Sequence, residues 1–368
     1  MARTGENIYK RKDKRWEARY IHSRREDGKA RYKSVYGRTY TEVKQRLIEA
    51  VAESERHKTE SNSAVISFEK VSKLWLEHKK HSVKESTLTR YISSLERHIL
   101  PHWSGRNVSE ITTQAMDDYI AGLLGSGLSN KTVEDILVII KGVFKYAQKR
   151  FSVICDFTQI TVPKSKKEIR VLSRAEQQRL EKHLMTDTDR SKLGVLLCLY
   201  TGIRVGELCS LKGENIDLDE SVLYVRSTMQ RIKNLSDDGS KTKIVTTTPK
   251  SKKSVREIPL PAFLLPILQS FLTDEDSYLL TGSPDRFVEP RTMQNHFKKY
   301  LACAGIKDAN FHCTRHSFGT NAVEQGFDVK SLSEILGHAN VNTTLELYVH
   351  PSFGLKRKYM DRLVPVKD

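Results

Sequence analysis

The stretch FHCTRHSFGTNAVEQGFDVKSLSEILGHANVNTTLELYVH, residues 311–350, decides how the second half of this chain is interpreted. Its apolar spacing predicts three successive helices, near 315–325, 329–336 and 342–350. Four side chains that can bind phosphate, move protons or attack phosphorus fall in or beside these helices. They are His312, Arg315, His338 and Tyr348.

The motif TGIRVGEL (201–208) places a further arginine at the start of a helix. Its Thr-Gly pair predicts the end of a buried helix, because glycine adopts the left-handed conformation that stops a helix. Arg204 then opens the next helix, so its backbone is held firmly. Glu207, one turn later, is placed either to orient a site arginine or to form a simple helix pair.

A basic motif, TTPKSKKSVREIPL (247–260), follows a polar, turn-rich segment at 228–248. The strand-like stretches SVLYVRS and VREIPL flank that segment, so the pattern predicts a long hairpin between the two strands. The motif offers three lysines that can protonate a leaving group. They are Lys250, Lys252 and Lys253.

These side-chain types together meet the needs of phosphodiester transfer. The transition state spreads negative charge over the non-bridging oxygens, which arginine can bind through two parallel hydrogen bonds. Lysine and histidine can move protons. A tyrosine can attack phosphorus, although its reference pKa near 10 leaves only about one phenol in a thousand ionised at pH 7. Neighbouring cations would lower that pKa.

The order of these residues resembles that of the tyrosine recombinases, also called the phage integrase family, over residues 171–350. The sequence LGHANVNTT looks most like that of integrases of Gram-positive conjugative transposons. The resemblance implies an enzyme that cuts and rejoins DNA through a 3′-phosphotyrosine, without metal, ATP or another cofactor. The implied roles are phosphate binding by Arg204 and Arg315, protonation of the leaving 5′ oxygen by Lys250, assistance by His312 and His338, support by Glu207, and nucleophilic attack by Tyr348.

Two other interpretations stay open at this stage. A DNA-binding protein that has lost catalysis would keep the same fold and basic surface. A type IB topoisomerase-like enzyme would share the chemistry and relax supercoils as a monomer. Tyr348 taken alone also fits a core position, because helical spacing puts it near Leu345, and Tyr359 is a second late tyrosine.

The chain is predicted to be a multidomain α+β protein, since 368 residues exceed one ordinary hydrophobic core. A small N-terminal β-sheet plus helix at 1–60 resembles an arm-type DNA-binding domain. A helical bundle at 66–160 corresponds to the family's core-binding, SAM-like domain. A mainly α catalytic domain with a small antiparallel sheet occupies 168–368. The polar stretch SERHKTESNS (54–63) is interpreted as a linker.

The first domain combines strand periodicity with basic residues. Trp16, Ala18 and Tyr20 are spaced two residues apart, so they fall on one face of a predicted strand. Asp27-Gly28 predicts a hairpin turn after it. Such a sheet can present basic side chains to a DNA groove. The candidates for DNA contact are Arg15, Arg19, Arg24 and Lys33 here, and Lys79, Lys80, Lys84, Arg90, Lys131 and Lys141 in the helical domain.

Composition agrees with a nucleic-acid partner. The net charge is +17, and residues 1–46 alone hold fifteen basic and six acidic residues. Apolar runs stay below the ~18 to 20 residues of a membrane span, and the N-terminus lacks the apolar region of a secretory signal. Five cysteines without metal-ligand spacing predict reduced thiols in a cytoplasmic protein. The resemblance further implies a bacterial protein that is nucleoid-associated when bound to DNA.

The resemblance also implies partners. These are double-stranded DNA with core and arm attachment sites, a homotetramer formed on that DNA, an excisionase and a host DNA-bending protein. A C-terminal tail, FGLKRKYMDRLVPVKD (353–368), would dock on a neighbouring subunit. No membrane partner is expected.

Overall fold

The computed structural model describes residues 7–24, 30–61, 66–153, 157–163, 169–235, 239–248 and 254–348, with positions 357, 360, 361 and 363 beyond them; side chains at 22–24 and 53–61 are not described. The chain divides into two compact units, Met1–Ser165 and Lys166–Asp368. The first unit holds both the N-terminal sheet and the helices that follow it. The division into three domains therefore stays a prediction.

An antiparallel sheet in the order β1-β2-β3 opens the first unit, formed by Ile8–Lys10, Trp16–Arg24 and Ala30–Gly37. Helix α1 (Tyr40–Ser61) packs against this sheet, with Val43 and Ala18 fully buried. This helix extends through most of the stretch 54–63, so the prediction of a linker there is wrong. The error arises because a polar segment can equally be a solvated helix.

The remaining helices of the first unit share one apolar core. Phe68, Trp103, Met116, Ile136 and Ile140 are among its buried side chains. Helix starts follow sequence signals: Ser67, Thr112 and Ser129 cap three of them with side-chain oxygens. The helices are α2 (Phe68–Lys80), α3 (Glu85–Ser94), α4 (Leu100–Trp103), α5 (Thr113–Gly125) and α6 (Asn130–Phe151), with a π-helical turn at Leu95–Ile99.

The second unit is mainly helical around a small sheet. Strands β4, β5 and β8 form an antiparallel sheet in the order β4-β5-β8, and β6 pairs with β7 as the predicted hairpin. The strands are Ile216–Asp217 (β4), Val222–Val225 (β5), Thr228–Lys233 (β6), Thr242–Thr247 (β7) and Arg256–Pro259 (β8).

The helices of this unit surround a second apolar core and carry the motifs of the sequence. The three helices predicted within 311–350 are present, each within two residues of the predicted bounds. The helices are α7 (Arg174–Met185), α8 (Arg190–Thr201), α9 (Val205–Cys209), α10 (Leu265–Phe271), α11 (Pro290–Cys303), α12 (Cys313–Glu324), α13 (Val329–Leu336) and α14 (Val341–Tyr348).

Gly202 ends α8 in the predicted left-handed conformation, with φ of 65°. A side chain at this position would also collide with Phe318 and Leu336. The close approach brings α8 against α12 and places Arg204 next to the latter. The mixed helical and antiparallel architecture confirms the predicted fold class. Within the described residues, no helix combines the length and apolar character needed to span a membrane.

Candidate active site

Arg204 occupies the N-terminal cap of α9, between two helices of the second unit. Its Nη1 donates to Glu207 Oε1 at 2.7 Å, and its backbone N–H donates to Glu207 Oε2 at 3.0 Å. The Arg204 side chain is 37% exposed, whereas that of Glu207 is 2% exposed. The buried carboxylate therefore anchors a guanidinium whose other face reaches solvent, as a phosphate-binding arginine requires.

A second arginine, Arg256 at the start of β8, completes the anchor from the opposite side. Its Nη2 donates to Glu207 Oε2 at 2.9 Å, and both side chains are almost fully buried. The Arg256 Nε also donates to the Ile335 carbonyl at 2.6 Å, just before Gly337 and His338. Burial raises the pKa of Glu207, but the two arginines outweigh it, so the net shift is downward and the carboxyl stays ionised.

Arg315 lies on α12 and is only 1% exposed. Its Nη1 donates to the Gly202 carbonyl at 2.8 Å and its Nη2 to the Leu336 carbonyl at 2.6 Å. Burial and the charge of Arg204 lower the pKa of Arg315 to about 9, which still leaves the guanidinium charged at neutral pH. Arg315 thus joins the ends of α8 and α13 and brings a fixed cation beside Arg204.

His312 and His338 flank these arginines. His312 precedes α12, and the His338 Nδ1 lies 2.8 Å from Thr344 Oγ1. Burial is the main cause that lowers the pKa of each imidazole to about 4. Electrostatic repulsion adds to it, from His316 and Arg315 for His312 and from Arg315 and Arg204 for His338. Both rings are therefore neutral at pH 7 and can donate or accept a hydrogen bond.

Tyr348 ends α14 and is 5% exposed. Its phenol oxygen lies 3.1 Å from His316 Nδ1, and its ring is parallel to that of His338 with centroids 6.3 Å apart. Burial raises the pKa of Tyr348, while Arg315 and Arg204 lower it. The predicted nucleophile therefore lies within the electrostatic reach of both predicted phosphate ligands.

The structure thus brings five of the six predicted catalytic residues together, along with Glu207. Lys250, the sixth, lies outside the described residues, as do Lys252 and Lys253 and the second late tyrosine, Tyr359. The proximity of the five supports their predicted roles, which stay predictions.

Two residues of this cluster were missed by the sequence interpretation. Arg256 lies two residues before buried Ile258 in β8, so both side chains are on the core-facing side of the strand. Arginine is rarely buried unless it is paired, so this position signals a partner. His316 follows His312 by four residues, which places both on one face of a helix. Both signals were present in the sequence, but the partners that explain them come from distant segments.

The N-terminal DNA-contact candidates divide between the two faces of the sheet. Arg19 pairs with Ser34 and shares the open face with Tyr9 and Tyr36, whereas Lys33 pairs with Tyr20 on the face of Ala18. The open face is organised by Glu17, which is 2% exposed and accepts hydrogen bonds from Ser34 Oγ at 2.7 Å and Arg19 Nε at 3.0 Å. Arg15 bonds to Asp13, and the Arg24 side chain lies outside the described residues.

The candidates in the helical part differ in how they are held. Lys141 Nζ donates to the Ile160 carbonyl at 2.7 Å and therefore also fastens the segment after α6. Lys131 pairs with Glu134 at 2.9 Å and Asp135 at 3.0 Å, and Arg90 approaches Asp135 at 4.0 Å. Lys79 and Lys80 lie in the last turn of α2, and Lys84 is the N-terminal cap of α3. All of them remain predictions.

Removal of Arg256 is expected to destabilise the second unit. Replacing Arg256 with Met leaves a buried carboxylate with one arginine fewer, which costs about 3–5 kcal/mol in comparable buried pairs. Equilibrium unfolding in urea measures the loss. Arg174→Met is the control, because its pair with Glu324 is exposed and is worth ~0–1 kcal/mol. Equal losses in the two variants would contradict the anchoring role of Arg256.

The two neutral histidines make stability depend on pH. Because the pKa of His312 and His338 falls to about 4 in the folded state, the unfolded chain binds more protons below about 6.5. The free energy of unfolding is therefore not reduced by these histidines above that pH, and it decreases as the pH falls toward 4. Urea unfolding between pH 7 and 5 should show this decrease, and the double variant His312→Gln/His338→Gln should flatten it. An unchanged slope in the double variant would refute the assignment.

Comparison with known proteins assigns this chain to a class. The model of the phage integrase family matches residues 170–354, half of the chain, and the N-terminal SAM-like domain of phage integrases matches residues 67–124. The chain belongs to the phage integrase family. This confirms the resemblance inferred from the motifs. The class of protein is that of the site-specific recombinases.

Individual relatives agree with that membership. A protein named "Tyrosine recombinase XerC-like" from Caldanaerobacter subterraneus subsp. tengcongensis is 27% identical, covering 89% of this chain and 90% of its own length. The Tn1549 transposon integrase in complex with transposon right end DNA has a TM-score of 0.65 at 20% identity, covering 81% of this chain and 99% of that chain. A lambda integrase tetramer bound to a Holliday junction has a TM-score of 0.59 at 16% identity, covering 95% of this chain and 96% of that chain.

Proposed function

We propose that this protein integrates and excises a mobile DNA element through a 3′-phosphotyrosine intermediate. The observation that carries the proposal is the convergence of Arg204, Arg315, His312 and His338 around the buried phenol of Tyr348. Two fixed guanidiniums and two neutral imidazoles beside one phenol suit a phosphodiester, whose transition-state charge needs donors already in place.

The chemistry follows from these positions. Arg204 and Arg315 bind the non-bridging oxygens of the scissile phosphate, and the two histidines donate further hydrogen bonds. The oxygen of Tyr348 forms a bond to phosphorus as the bond to the 5′ oxygen breaks. Lys250 supplies the proton that this 5′ oxygen takes. Rejoining reverses each step when a new 5′ hydroxyl attacks the phosphotyrosine.

Neither metal nor ATP has a part in this scheme. The guanidiniums supply the positive charge that a metal ion provides in other phosphoryl transfers. The phosphotyrosine keeps the energy of the broken phosphodiester, so rejoining needs no nucleotide. Of the described residues, no group of three His, Cys, Asp or Glu side chains is arranged to hold a metal ion.

The proposed assembly is a homotetramer on two DNA sites in the bacterial cytoplasm, aided by an excisionase and a host DNA-bending protein. The lambda integrase neighbour, a tetramer on a Holliday junction, supports that assembly. The N-terminal sheet would bind arm sites, the helical part core sites, and the second unit the cleavage point, as three domains. The sheet, with Arg11 and Arg19 stacked over Tyr36 and Tyr9, favours a mobile-element integrase over a chromosome resolvase.

The test uses nicked suicide DNA that carries candidate attachment sites from the ends of the element. The protein is incubated with this DNA in EDTA, and the adduct is resolved on denaturing gels and mapped by mass spectrometry. We expect a covalent adduct on Tyr348. Intact DNA binding without an adduct on cognate ends would favour a catalytically silent DNA-binding protein. Efficient relaxation of any supercoiled plasmid by a monomer would favour the topoisomerase-like alternative.

A further inference from the structure

The phenol of Tyr348 carries a proton that must leave during the attack on phosphorus, and a histidine outside the predicted catalytic set is bonded to it. His316 is the last residue of the HCTRH motif. Its Nδ1 lies 3.1 Å from the Tyr348 oxygen, which is within hydrogen-bonding distance. The contact joins α12 to α14 across 32 residues of sequence.

The position of the phenol is set by the backbone of α12 as well as by this hydrogen bond. Gly319 lies one turn after His316, and a methyl group there would come within 2.7 Å of the tyrosine ring. Glycine is therefore required for the ring to lie against the helix. The slot between Gly319 and the parallel ring of His338 holds Tyr348 with its oxygen directed at His316.

The charged and titratable groups around His316 keep its imidazole neutral. Burial, followed by the charge of Arg315 on the same helix, lowers the pKa of His316. His312 contacts it edge-on, with ring centroids 4.7 Å apart, and Tyr348 faces it from α14. With its Nε2 protonated, the neutral ring presents Nδ1 as an acceptor to the phenol.

Two other bases in the cluster are already engaged. His338 directs its Nδ1 to Thr344 Oγ1, and its ring is parallel to the phenol rather than in line with the phenol O–H. Glu207 is bound by Arg204 and Arg256. Arg315, whose charge lowers the pKa of the phenol, is a donor only. Among the described residues, His316 has a ring nitrogen within hydrogen-bonding distance of the phenol oxygen, so it is in position to accept the proton.

We propose that His316 is a catalytic residue that takes the phenol proton of Tyr348 during cleavage. As the Tyr348 oxygen bonds to phosphorus, its proton moves to His316 Nδ1 and the phosphorus–O5′ bond breaks. The departing O5′ takes a separate proton. In rejoining, the 5′ hydroxyl gives its proton back to the group that protonated O5′ and bonds to phosphorus, while imidazolium His316 returns its proton to the departing tyrosine oxygen. This inference rests on the proposed recombinase function.

The first test compares His316→Asn with wild-type protein on the nicked suicide DNA. Asparagine places an amide group near the position of Nδ1, so it can hydrogen-bond the phenol but cannot carry its proton. We expect the rate of adduct formation to fall ~10²- to 10⁴-fold, as for loss of a general base. DNA binding and thermal unfolding are measured on the same variant, and His316→Gln is used should the asparagine variant not fold.

A matched control and a second readout separate chemistry from structure. His296→Asn removes another half-buried histidine whose Nδ1 bonds a hydroxyl, that of Ser191 at 3.0 Å, and is expected to cleave normally. Replacing Tyr348 with a fluorinated tyrosine, whose phenol is more acidic, should restore part of the rate lost in His316→Asn. A 5′-bridging phosphorothioate, which leaves without a proton, should not restore it.

The outcomes distinguish this inference from the function on which it rests. If wild-type protein forms no adduct, the recombinase proposal fails. If wild-type protein forms the adduct and His316→Asn forms it at the same rate, only the role of His316 is overturned. Rescue by the phosphorothioate, without rescue by the acidic phenol, would also overturn it, because the missing proton transfer would then concern the leaving group.

Discussion

Replacing Tyr348 with phenylalanine is expected to abolish the covalent protein–DNA adduct while leaving DNA binding intact. The variant lacks the only atom that can bond to phosphorus at this position, so the remaining donors have no nucleophile to assist. Phenylalanine still fills the slot beside Gly319, and it loses one hydrogen bond with a net worth of about 1 kcal/mol. The fold should therefore persist.

The measurement pairs the suicide-DNA adduct assay with a binding assay on the same DNA. Tyr200→Phe is the control, since that half-buried phenol donates to Glu181 at 2.7 Å in the same unit and has no proposed part in catalysis. The control should form the adduct at the wild-type rate. An adduct in Tyr348→Phe, whether mapped to Tyr359 or elsewhere, would remove Tyr348 from the nucleophile position.

Replacing Arg204 with alanine is expected to slow cleavage by ~10²- to 10³-fold, the cost of losing one donor fixed in advance of the transition state. The guanidinium is half-exposed and held by Glu207, so it can bind a phosphate oxygen without first being ordered. Glu207 keeps its buried bond to Arg256 in the variant, and the guanidinium that is lost is 37% exposed, so water can solvate the position it leaves and stability should fall by less than in Arg256→Met.

Single-turnover cleavage on saturating suicide DNA measures this effect separately from binding. Arg204→Lys should fall between alanine and wild type, because lysine keeps the charge and loses the planar fork. Arg174→Ala, a change at an arginine that is 82% exposed, is the matched control and should cleave normally. Near-normal cleavage by Arg204→Ala would exclude this residue from the phosphate site.

The two predicted phosphate arginines differ in how deeply they are buried. Both were identified from the sequence, yet Arg204 is half-exposed and Arg315 is almost fully buried between two helix ends. Substitution of Arg315 would therefore leave the Gly202 and Leu336 carbonyls unpaired as well as remove a donor. A loss of activity at Arg204 is easier to interpret as chemistry.

The sequence by itself determined the local features of this protein. Ser173 and Glu176 form the capping box of α7, Gly202 ends α8, and the hairpin at 228–248 is present, because caps, stops and alternation depend on neighbouring residues. The order of arginine, histidine and tyrosine motifs was also sufficient to identify the family. Caps, helix stops and strand alternation act over a few neighbouring residues, so the sequence of those residues is enough to predict the local backbone conformation.

Only the tertiary structure decided which side chains meet. Arg256 and Glu207 are 49 residues apart, His316 and Tyr348 are 32 apart, and Arg315 bonds the Gly202 carbonyl across 113 residues. A buried arginine or histidine signals that it has a partner, but periodicity cannot say which one. Long-range packing makes that choice, because the cost of burying each polar group is met by whichever distant group the fold brings to it.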